Sequence, residues 1–276
     1  VFTVENSGQR ATGPLMLGLT GASASSFAIE AGSNCVGASL AGGASCTASV
    51  IFTPGAAGPA SAALEITGTP GGTATVMLAG SGLRPGEISI SPLTANLGST
   101  VLNQMSAVRS FTVENMGEAA TGALTATLGG SDAGQFAIAQ NGCTTLAARA
   151  TCTIDVRLLP TSTGSKSATL TVTGTPGGSA VAQLSGVGLA IPALSIAPTA
   201  QNLGTVVQGN QASVTFSVAN AGGAATGTVT TTLSGTAASE YALVSNGCAG
   251  SPLAAGASCN VTVRLTAATL GARPVT

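Results

Sequence analysis

Six cysteines are the residues of this sequence best placed to do chemistry, because they fall into three local pairs. The pairs have 10, 8 and 10 residues between their members, and they are Cys35/Cys46, Cys143/Cys152 and Cys248/Cys259. Even, local pairing in small β modules predicts one disulfide per module and an oxidising, extracellular or cell-surface location. Three pairs of reduced core cysteines are the alternative. A zinc site would need further ligands, and the chain has neither His nor a CxxC motif.

Groups for acid–base or nucleophilic catalysis are scarce. The chain has no His, and its only lysine, Lys166, lies in a turn-rich TSTGSKSAT stretch without a neighbouring carboxylate. A hydrolytic triad or a lysine-based variant is therefore not expected. The nine Asp and Glu residues are scattered, and Glu5 and Glu114 occupy equivalent positions of repeated strands, which favours a strand surface over paired catalytic acids. We expect no enzyme activity and no cofactor.

Other ligand sites have weak support in the sequence. Calcium could bind between modules through Glu87, Asp132 or Asp155, but the chain has no DxDxD run. The glycine pairs after Pro70 and Pro176 are followed neither by a helix nor by the Lys and Ser/Thr of a phosphate-binding loop. We therefore expect no bound metal and no nucleotide.

The overall composition excludes several classes of partner. Charged residues make up only 6% of the chain, and its net charge is −1. Such a chain lacks the positive field that attracts nucleic acid or anionic lipid. Gly, Thr, Ser and Asn interrupt every apolar stretch, so no run is long enough to predict a transmembrane helix. A neutral surface of Gly, Ala, Ser and Thr suits close packing against copies of the same chain.

A repeat of 105 to 109 residues organises the elements that carry the cysteines. The strand FTVEN at 2–6 returns as FTVEN at 111–115 and as FSVAN at 216–220, each time followed by a polar glycine turn. After Cys152, the residues Ile154, Val156 and Leu158 alternate with polar residues. This alternation predicts a half-buried strand with its cysteine directed inward.

Each repeat also carries an aromatic residue at an equivalent position just ahead of its cysteine pair. Phe27, Phe136 and Tyr241 occupy this position, and their alternation with aliphatic residues predicts core anchors and not ligand-stacking rings. In two copies a Thr-Pro-Gly-Gly turn between apolar runs predicts a β-hairpin. With about seven short strands per repeat, the predicted fold class is all-β, built from tandem immunoglobulin-like β-sandwiches with one disulfide per module.

Three modules follow from the repeat, with boundaries at two short linkers that contain proline. The linkers Arg84-Pro85-Gly86 and Ala190-Ile191-Pro192 should hold adjacent modules at a restricted angle. The modules span 1–83, lacking its first strand; 86–189, complete; and 193–276, lacking its final hairpin. We expect the chain to be a segment of a longer tandem array. Alternatively, strands from neighbouring chains complete the two end modules.

Several motifs of the repeats occur together, namely GASCTASVIFTP, ATCTIDVRLLP, SATLTVTGTPGG, LSGVG and SIAPTAQNLGT. In this combination the chain resembles the bacterial choice-of-anchor D family, whose immunoglobulin-like modules are related to the ASPM–SPD-2–Hydin class. The resemblance covers all three copies, although the third has Ala267 in place of the proline. It implies tandem modules of secreted or surface-anchored bacterial proteins, used as a stalk or an interaction domain, with no catalytic residues to carry over.

The sequence therefore predicts a structural extracellular protein that forms a rigid stalk or a self-assembling filament. Its expected partners are copies of itself, through strand exchange at the two incomplete modules, or a surface receptor or glycan. An adhesin, or the accessory repeats of a larger secreted or surface protein, is the alternative, but no copy carries a distinctive aromatic or charged patch. The cysteine pairing disfavours a cytoplasmic scaffold. Asn260-Val261-Thr262 matches a glycosylation acceptor on an outward strand position, and its use depends on the host.

Overall fold

Alternating apolar and polar residues form β-strands along the whole chain. The computed structural model describes residues 1–276, with 19 strands and three 3-10 turns of three residues each. The all-β immunoglobulin-like class with three disulfides is confirmed. Strand pairing stays within three successive stretches, 2–82, 88–189 and 194–266. We call residues 1–83, 86–189 and 193–276 the first, second and third segments; their limits as independent modules stay a prediction.

No helix of the structure is both long enough and apolar enough to cross a membrane.

The first segment contains seven strands in three small sheets. In these sheets β1 (Phe2–Glu5) pairs with β4 (Ser45–Ala48), β3 (Phe27–Ile29) pairs with β5 (Val50–Phe52), and β6 (Gly58–Gly68) lies between β2 (Met16–Thr20) and β7 (Gly72–Gly82). The predicted hairpin is β6–β7, and its turn has Gly71 and Gly72 at φ values of +142° and +83°. Glycine adopts such values readily because it has no Cβ atom.

The second segment is a sandwich of two four-stranded sheets. The strands are β8 (Ile88–Ser91), β9 (Thr94–Val101), β10 (Arg109–Asn115), β11 (Thr125–Gly129), β12 (Phe136–Asn141), β13 (Thr151–Leu158), β14 (Gly164–Gly174) and β15 (Gly178–Leu189). One sheet has the order β12-β13-β10-β8 and the other has the order β11-β14-β15-β9. Consecutive strands β8 and β9 therefore join opposite sheets: β8 runs antiparallel to β10, and β9 runs parallel to β15.

The third segment has one four-stranded sheet, in the order β16-β17-β19-β18. Its strands are β16 (Leu194–Ala197), β17 (Gln211–Asn220), β18 (Tyr241–Asn246) and β19 (Ser258–Thr266). The stretch 199–207 matches β9 in sequence but forms no strand. The stretch that corresponds to β11, 230–234, forms no strand either, and just before it Thr228 makes an isolated bridge with Pro252. In the second segment these strands pair with β15 and β14.

The predicted inward faces form the cores. Ile154, Val156 and Leu158 on β13 are fully buried, and Phe27 and Phe136 are buried as predicted. In the third segment Tyr241 is only half-buried, and its O–H donates a hydrogen bond to the carbonyl oxygen of Arg273 at 2.7 Å. The core clusters of the second, first and third segments contain 18, 10 and 5 buried residues, so the second segment has the most complete core.

Candidate functional site

The second segment holds its incoming linker with one buried asparagine. Asn115 ends β10, and its side chain is fully buried. Its Oδ1 accepts hydrogen bonds from the backbone N–H groups of Glu87 at 3.0 Å and Gly117 at 2.9 Å. Its Nδ2 donates to three backbone carbonyls, those of Ala119 (2.8 Å), Leu146 (3.3 Å) and Ala147 (3.0 Å). This one side chain joins the linker, a turn and a loop, and both of its polar atoms have partners, as buried polar atoms require.

The disulfide loop supplies two of those carbonyls. Leu146 and Ala147 lie between Cys143 and Cys152, whose Cα atoms are 5.2 Å apart. The corresponding loops of the first and third segments are closed by Cys35–Cys46 and Cys248–Cys259, at Cα–Cα distances of 5.1 and 5.3 Å. A covalently closed loop has fewer conformations, which helps to keep these carbonyls directed at the asparagine.

A glycine two residues after the asparagine lets the linker approach closely. A Cβ atom on Gly117 would lie 2.1 Å from the carbonyl oxygen of Pro85. The N–H of Met116 donates to the carbonyl oxygen of Glu87 at 2.6 Å, and the N–H of Ile88 donates to that of Gly177 at 2.9 Å. We call this arrangement of the asparagine, the two residues after it and the facing Pro-Gly-Gly turn the linker slot.

The third segment repeats the asparagine side of the slot, without the Pro-Gly-Gly turn, around Asn220, which is 1% exposed. Its Oδ1 accepts from the N–H groups of Ala193 and Gly222, both at 3.0 Å, and the N–H of Ala221 donates to the carbonyl of Ala193 at 2.8 Å. A Cβ atom on Gly222 would lie 2.2 Å from the carbonyl oxygen of Ile191. The two linkers differ in sequence, yet the asparagine and the residue after it hold both backbones by equivalent hydrogen bonds.

In the first segment the equivalent slot is an open groove. Asn6 donates from Nδ2 to the carbonyls of Arg10 at 2.7 Å and Leu40 at 2.9 Å, and its Oδ1 accepts from Gly8 N–H at 3.0 Å. A cavity of about 730 Å³ lies beside it. Its lining includes Val4, Asn6, Gly8, Leu15, Ile66 and Pro70.

A carboxylate adds a second contact to the first linker. The backbone N–H of Arg84 donates to Glu118 Oε2 at 3.1 Å, and the Arg84 guanidinium lies 3.3 Å from Glu118 Oε1. The backbone hydrogen bond from Arg84, aided by the nearby guanidinium, holds the pKa of Glu118 below its usual value. The ionised form of Glu118 is therefore the one that binds the linker.

The residues considered for catalysis lie apart. Lys166 is buried, and its Nζ donates to the carbonyl of Thr163 at 2.9 Å. Glu5 is exposed on β1, and Glu114 is half-buried on β10. Their surroundings are those of strand residues, and the structure forms no pair of acids from them.

The residues considered for calcium are also separate. Glu87 lies at the first linker, Asp155 lies on β13, and Asp132 accepts a hydrogen bond from the N–H of Ser167 at 2.9 Å. The structure holds no group of three or more Cys, Asp or Glu side chains that could share a metal ion. Asn260, the possible glycosylation acceptor, is exposed on β19.

Sequence reasoning treated the asparagine segments as polar turns and missed the slot. The available signal was an Asn-x-Gly triplet at the end of the same strand in all three copies, at 6–8, 115–117 and 220–222. A turn needs such residues in any case, so the triplet alone did not indicate that Asn115 would be buried against a linker.

One protein-family model matches part of the chain. The CARDB family model matches residues 191–275. No curated protein sequence matches the chain at a significant level.

Several solved structures are similar over parts of their length. The PapD-like domain 7 of human CEP192 is 15% identical, with 38% of this chain and 87% of that chain covered and a TM-score of 0.30. The VesB protease of Vibrio cholerae is 21% identical, with 37% of this chain and 32% of that chain covered and a TM-score of 0.28. Domains 4 and 5 of the S-layer protein SbsC are 15% identical, with 49% of this chain and 69% of that chain covered and a TM-score of 0.28. The chain thus spans about a third of the VesB structure, and at these TM-scores the similarities carry no argument about function.

Proposed function

We propose that this chain is a structural, non-catalytic extracellular protein whose tandem immunoglobulin-like modules form a rigid stalk or filament. The linker slot carries the proposal, because it fixes the backbone of each linker to the module that follows. Both linkers are held in this way, by Asn115 and Asn220. A linker that is hydrogen-bonded along its backbone has few accessible conformations, so it acts as a stiff joint and not as a tether.

The three disulfides support an extracellular location. Each segment closes one loop with a disulfide, and no cysteine is left free. Disulfides persist in secreted and surface proteins, whereas the cytosol keeps thiols reduced. The third segment, with only five residues in its core cluster, would depend most on this covalent support.

The stiffness of the joint tests the structural role. Small-angle X-ray scattering should give one narrow distribution of maximum dimensions for the native chain. Gly117→Ala, which forces the Pro85 carbonyl away from the slot, should broaden that distribution. Gly134→Ala is the matched control, because a Cβ atom there meets nothing within 4 Å. A native chain whose distribution is as broad as that of the Gly117→Ala variant would overturn the proposal.

Copies of the chain are the partners that we propose. The support is the composition of the chain, in which 6% of the residues are charged and the net charge is −1, so that copies repel each other little. Sedimentation of the chain over a range of concentrations should show reversible growth in mass. A single monomeric species at all concentrations would argue for a stalk that acts alone.

A further inference from the structure

All four methionines of the chain lie on its surface. Met16, Met77, Met105 and Met116 are 72%, 75%, 64% and 40% exposed, and none belongs to a core cluster. All six cysteines form disulfides, and the chain has no Trp. The thioether sulfurs are therefore the side-chain atoms that a peroxide reaches and oxidises most readily.

Met105 differs from the other three methionines because a cation lies beside its sulfur. Its Sδ accepts a hydrogen bond from Nη1 of Arg157 at 3.5 Å, the one hydrogen bond to a methionine sulfur in the structure. A thioether is a weak acceptor. The contact holds the two side chains together but leaves the guanidinium without a strong partner.

Arg157 has no oxygen acceptor elsewhere. Its Nε is buried without a hydrogen-bond partner, and the ion pairs of the structure involve only Arg84 and Arg273 among the arginines. Asp155 lies on the same face of β13, two residues away, and forms no ion pair with it. On the neighbouring strand β12 the residue opposite Arg157 is Ala137. A polar group in this position gains from an acceptor oxygen that comes within reach.

The loop that carries Met105 is fixed against the strand that carries Arg157. In this loop, 102–108, the N–H of Ser106 donates to the carbonyl oxygen of Leu158 at 2.9 Å, and the N–H of Leu158 donates to Ser106 Oγ at 2.9 Å. Leu158 follows Arg157 directly on β13. Because both backbones are held, an oxygen added to the sulfur reaches the guanidinium by rotation of the exposed Met105 side chain alone.

We propose that Met105 is an oxidation site whose sulfoxide is bound by the guanidinium of Arg157. A peroxide is the oxidant: a lone pair of Sδ attacks one peroxide oxygen and the O–O bond breaks. With hydrogen peroxide, the attacked oxygen stays on sulfur and passes its proton to the departing hydroxide, which leaves as water. Sulfur loses two electrons and the peroxide gains them. The new oxygen carries partial negative charge and replaces the sulfur as the acceptor for Nη1.

Oxidation at this site strengthens the structure locally. A sulfoxide inside a core disrupts packing, because it turns an apolar side chain into a polar one. At Met105 the polar group is exposed and finds a donor. The same loop also donates from the N–H of Leu102 to the carbonyl oxygen of Leu189, the last residue of β15 before the second linker. The end of the second segment from which that linker leaves is therefore held more firmly after oxidation.

Hydrogen exchange at the Ser106 amide tests the site on the full chain, before and after treatment with hydrogen peroxide. Peptide mapping by mass spectrometry should show one added oxygen at Met105. Exchange at Ser106 should then slow about fivefold, because a hydrogen bond from the guanidinium to the sulfoxide is stronger than the contact with the thioether. In the Met105→Leu variant peroxide should leave exchange at Ser106 unchanged, since the other three methionines do not cause the slowing.

Two arginine substitutions separate the loss of the donor from the loss of its charge. Arg157→Ile removes the guanidinium and suits the strand, since Ile51 fills the equivalent position of the first segment. In this variant Met105 should still be oxidised, but exchange at Ser106 should not slow. Arg109→Ile is the matched control, because it removes an exposed arginine of β10 and should leave the slowing intact.

Three results would overturn the proposal. They are a Met105 that excess peroxide leaves unoxidised in the folded chain, exchange at Ser106 that is unchanged or faster after oxidation, and an equal slowing in the Arg157→Ile variant. The scattering test of the linkers uses the untreated chain, so its result and this one are independent.

Discussion

The hydrogen bonds that converge on Asn115 make this residue the most sensitive polar position of the second segment. Asn115→Ala would leave the N–H groups of Glu87 and Gly117 and the carbonyl of Ala119 without their partner, whereas the carbonyls of Leu146 and Ala147 keep backbone hydrogen bonds. We expect a loss of roughly 3 kcal/mol in the free energy of unfolding of this segment, because unpaired buried polar groups cost about 1–3 kcal/mol each. Hydrogen exchange at the amides of the second segment would measure this loss in the free energy of unfolding.

A matched control exists in the same segment. Asn96 also begins an Asn-x-Gly triplet and accepts a bond from Gly98 N–H at 2.8 Å, but its side chain is exposed. Asn96→Ala should cost no more than about 1 kcal/mol, since water replaces the lost partner. Equal losses for the two variants would contradict the role given to Asn115.

The contact between Glu118 and the first linker should depend on pH. The pKa of Glu118 is lowered in the folded chain from its ordinary value of 4.5. The stabilisation is therefore complete above that ordinary value and is lost as the pH falls through the lowered one. We expect the Arg84 amide to lose exchange protection in acid beyond the intrinsic chemical effect. Glu118→Gln should remove that extra dependence, and a native-like acid profile in this variant would contradict the assignment.

At the scale of single residues, the sequence predicted where side chains point better than what they bind. The alternation at Ile154, Val156 and Leu158 identified the buried face, because strand geometry alone sets the period of two. The five hydrogen bonds of the Asn115 side chain involve residues up to 32 positions away in the chain. No local pattern encodes such distant partners.

Among the structural elements, the disulfide-closed loop of the second segment is the one for which the effect of a mutation is simplest to predict. The Cys143–Cys152 disulfide closes a loop with a sequence separation of 9 that carries Leu146 and Ala147. Replacing both cysteines by serine should lower the stability of the second segment by roughly 3 kcal/mol in the chain-entropy model. It should also speed exchange at the Glu87 amide, because the loop positions Asn115. Chemical denaturation would test the loss of stability, and hydrogen exchange would test the Glu87 amide. Unchanged exchange at Glu87 would show that the linker slot does not depend on the disulfide.

Local patterns identified the hairpins and the repeated FTVEN-type strands, but they do not show which distant strand a stretch pairs with. The hairpins β6–β7 and β14–β15 were evident from their Thr-Pro-Gly-Gly turns. The stretch 199–207 has the sequence of a strand, as its equivalent β9 does, but it forms none in the third segment. For β9, strand formation depends on parallel pairing with β15, about 90 residues further along the chain. Propensity alone does not supply such a partner.

For the whole molecule, the unequal cores predict an order of unfolding. The core clusters hold 18 buried residues in the second segment, 10 in the first and 5 in the third. Because buried apolar area is the main source of stability, the third segment should unfold first on heating and the second last. Hydrogen exchange along a thermal ramp would show the order, and simultaneous loss of protection in all three would indicate that the segments unfold as one cooperative unit.

The parallel pair β9–β15 gives the second segment a mechanical property. Tension along the chain enters through the linker and β8, which is paired antiparallel with β10, and then reaches the start of β9. It leaves from the end of β15, and β9 and β15 run in the same direction over six residue pairs. The load therefore falls on all of their hydrogen bonds together, as shear, and does not open them one after another. In single-molecule pulling we expect the second segment to resist the highest force, so a stalk of such units would keep its length under strain.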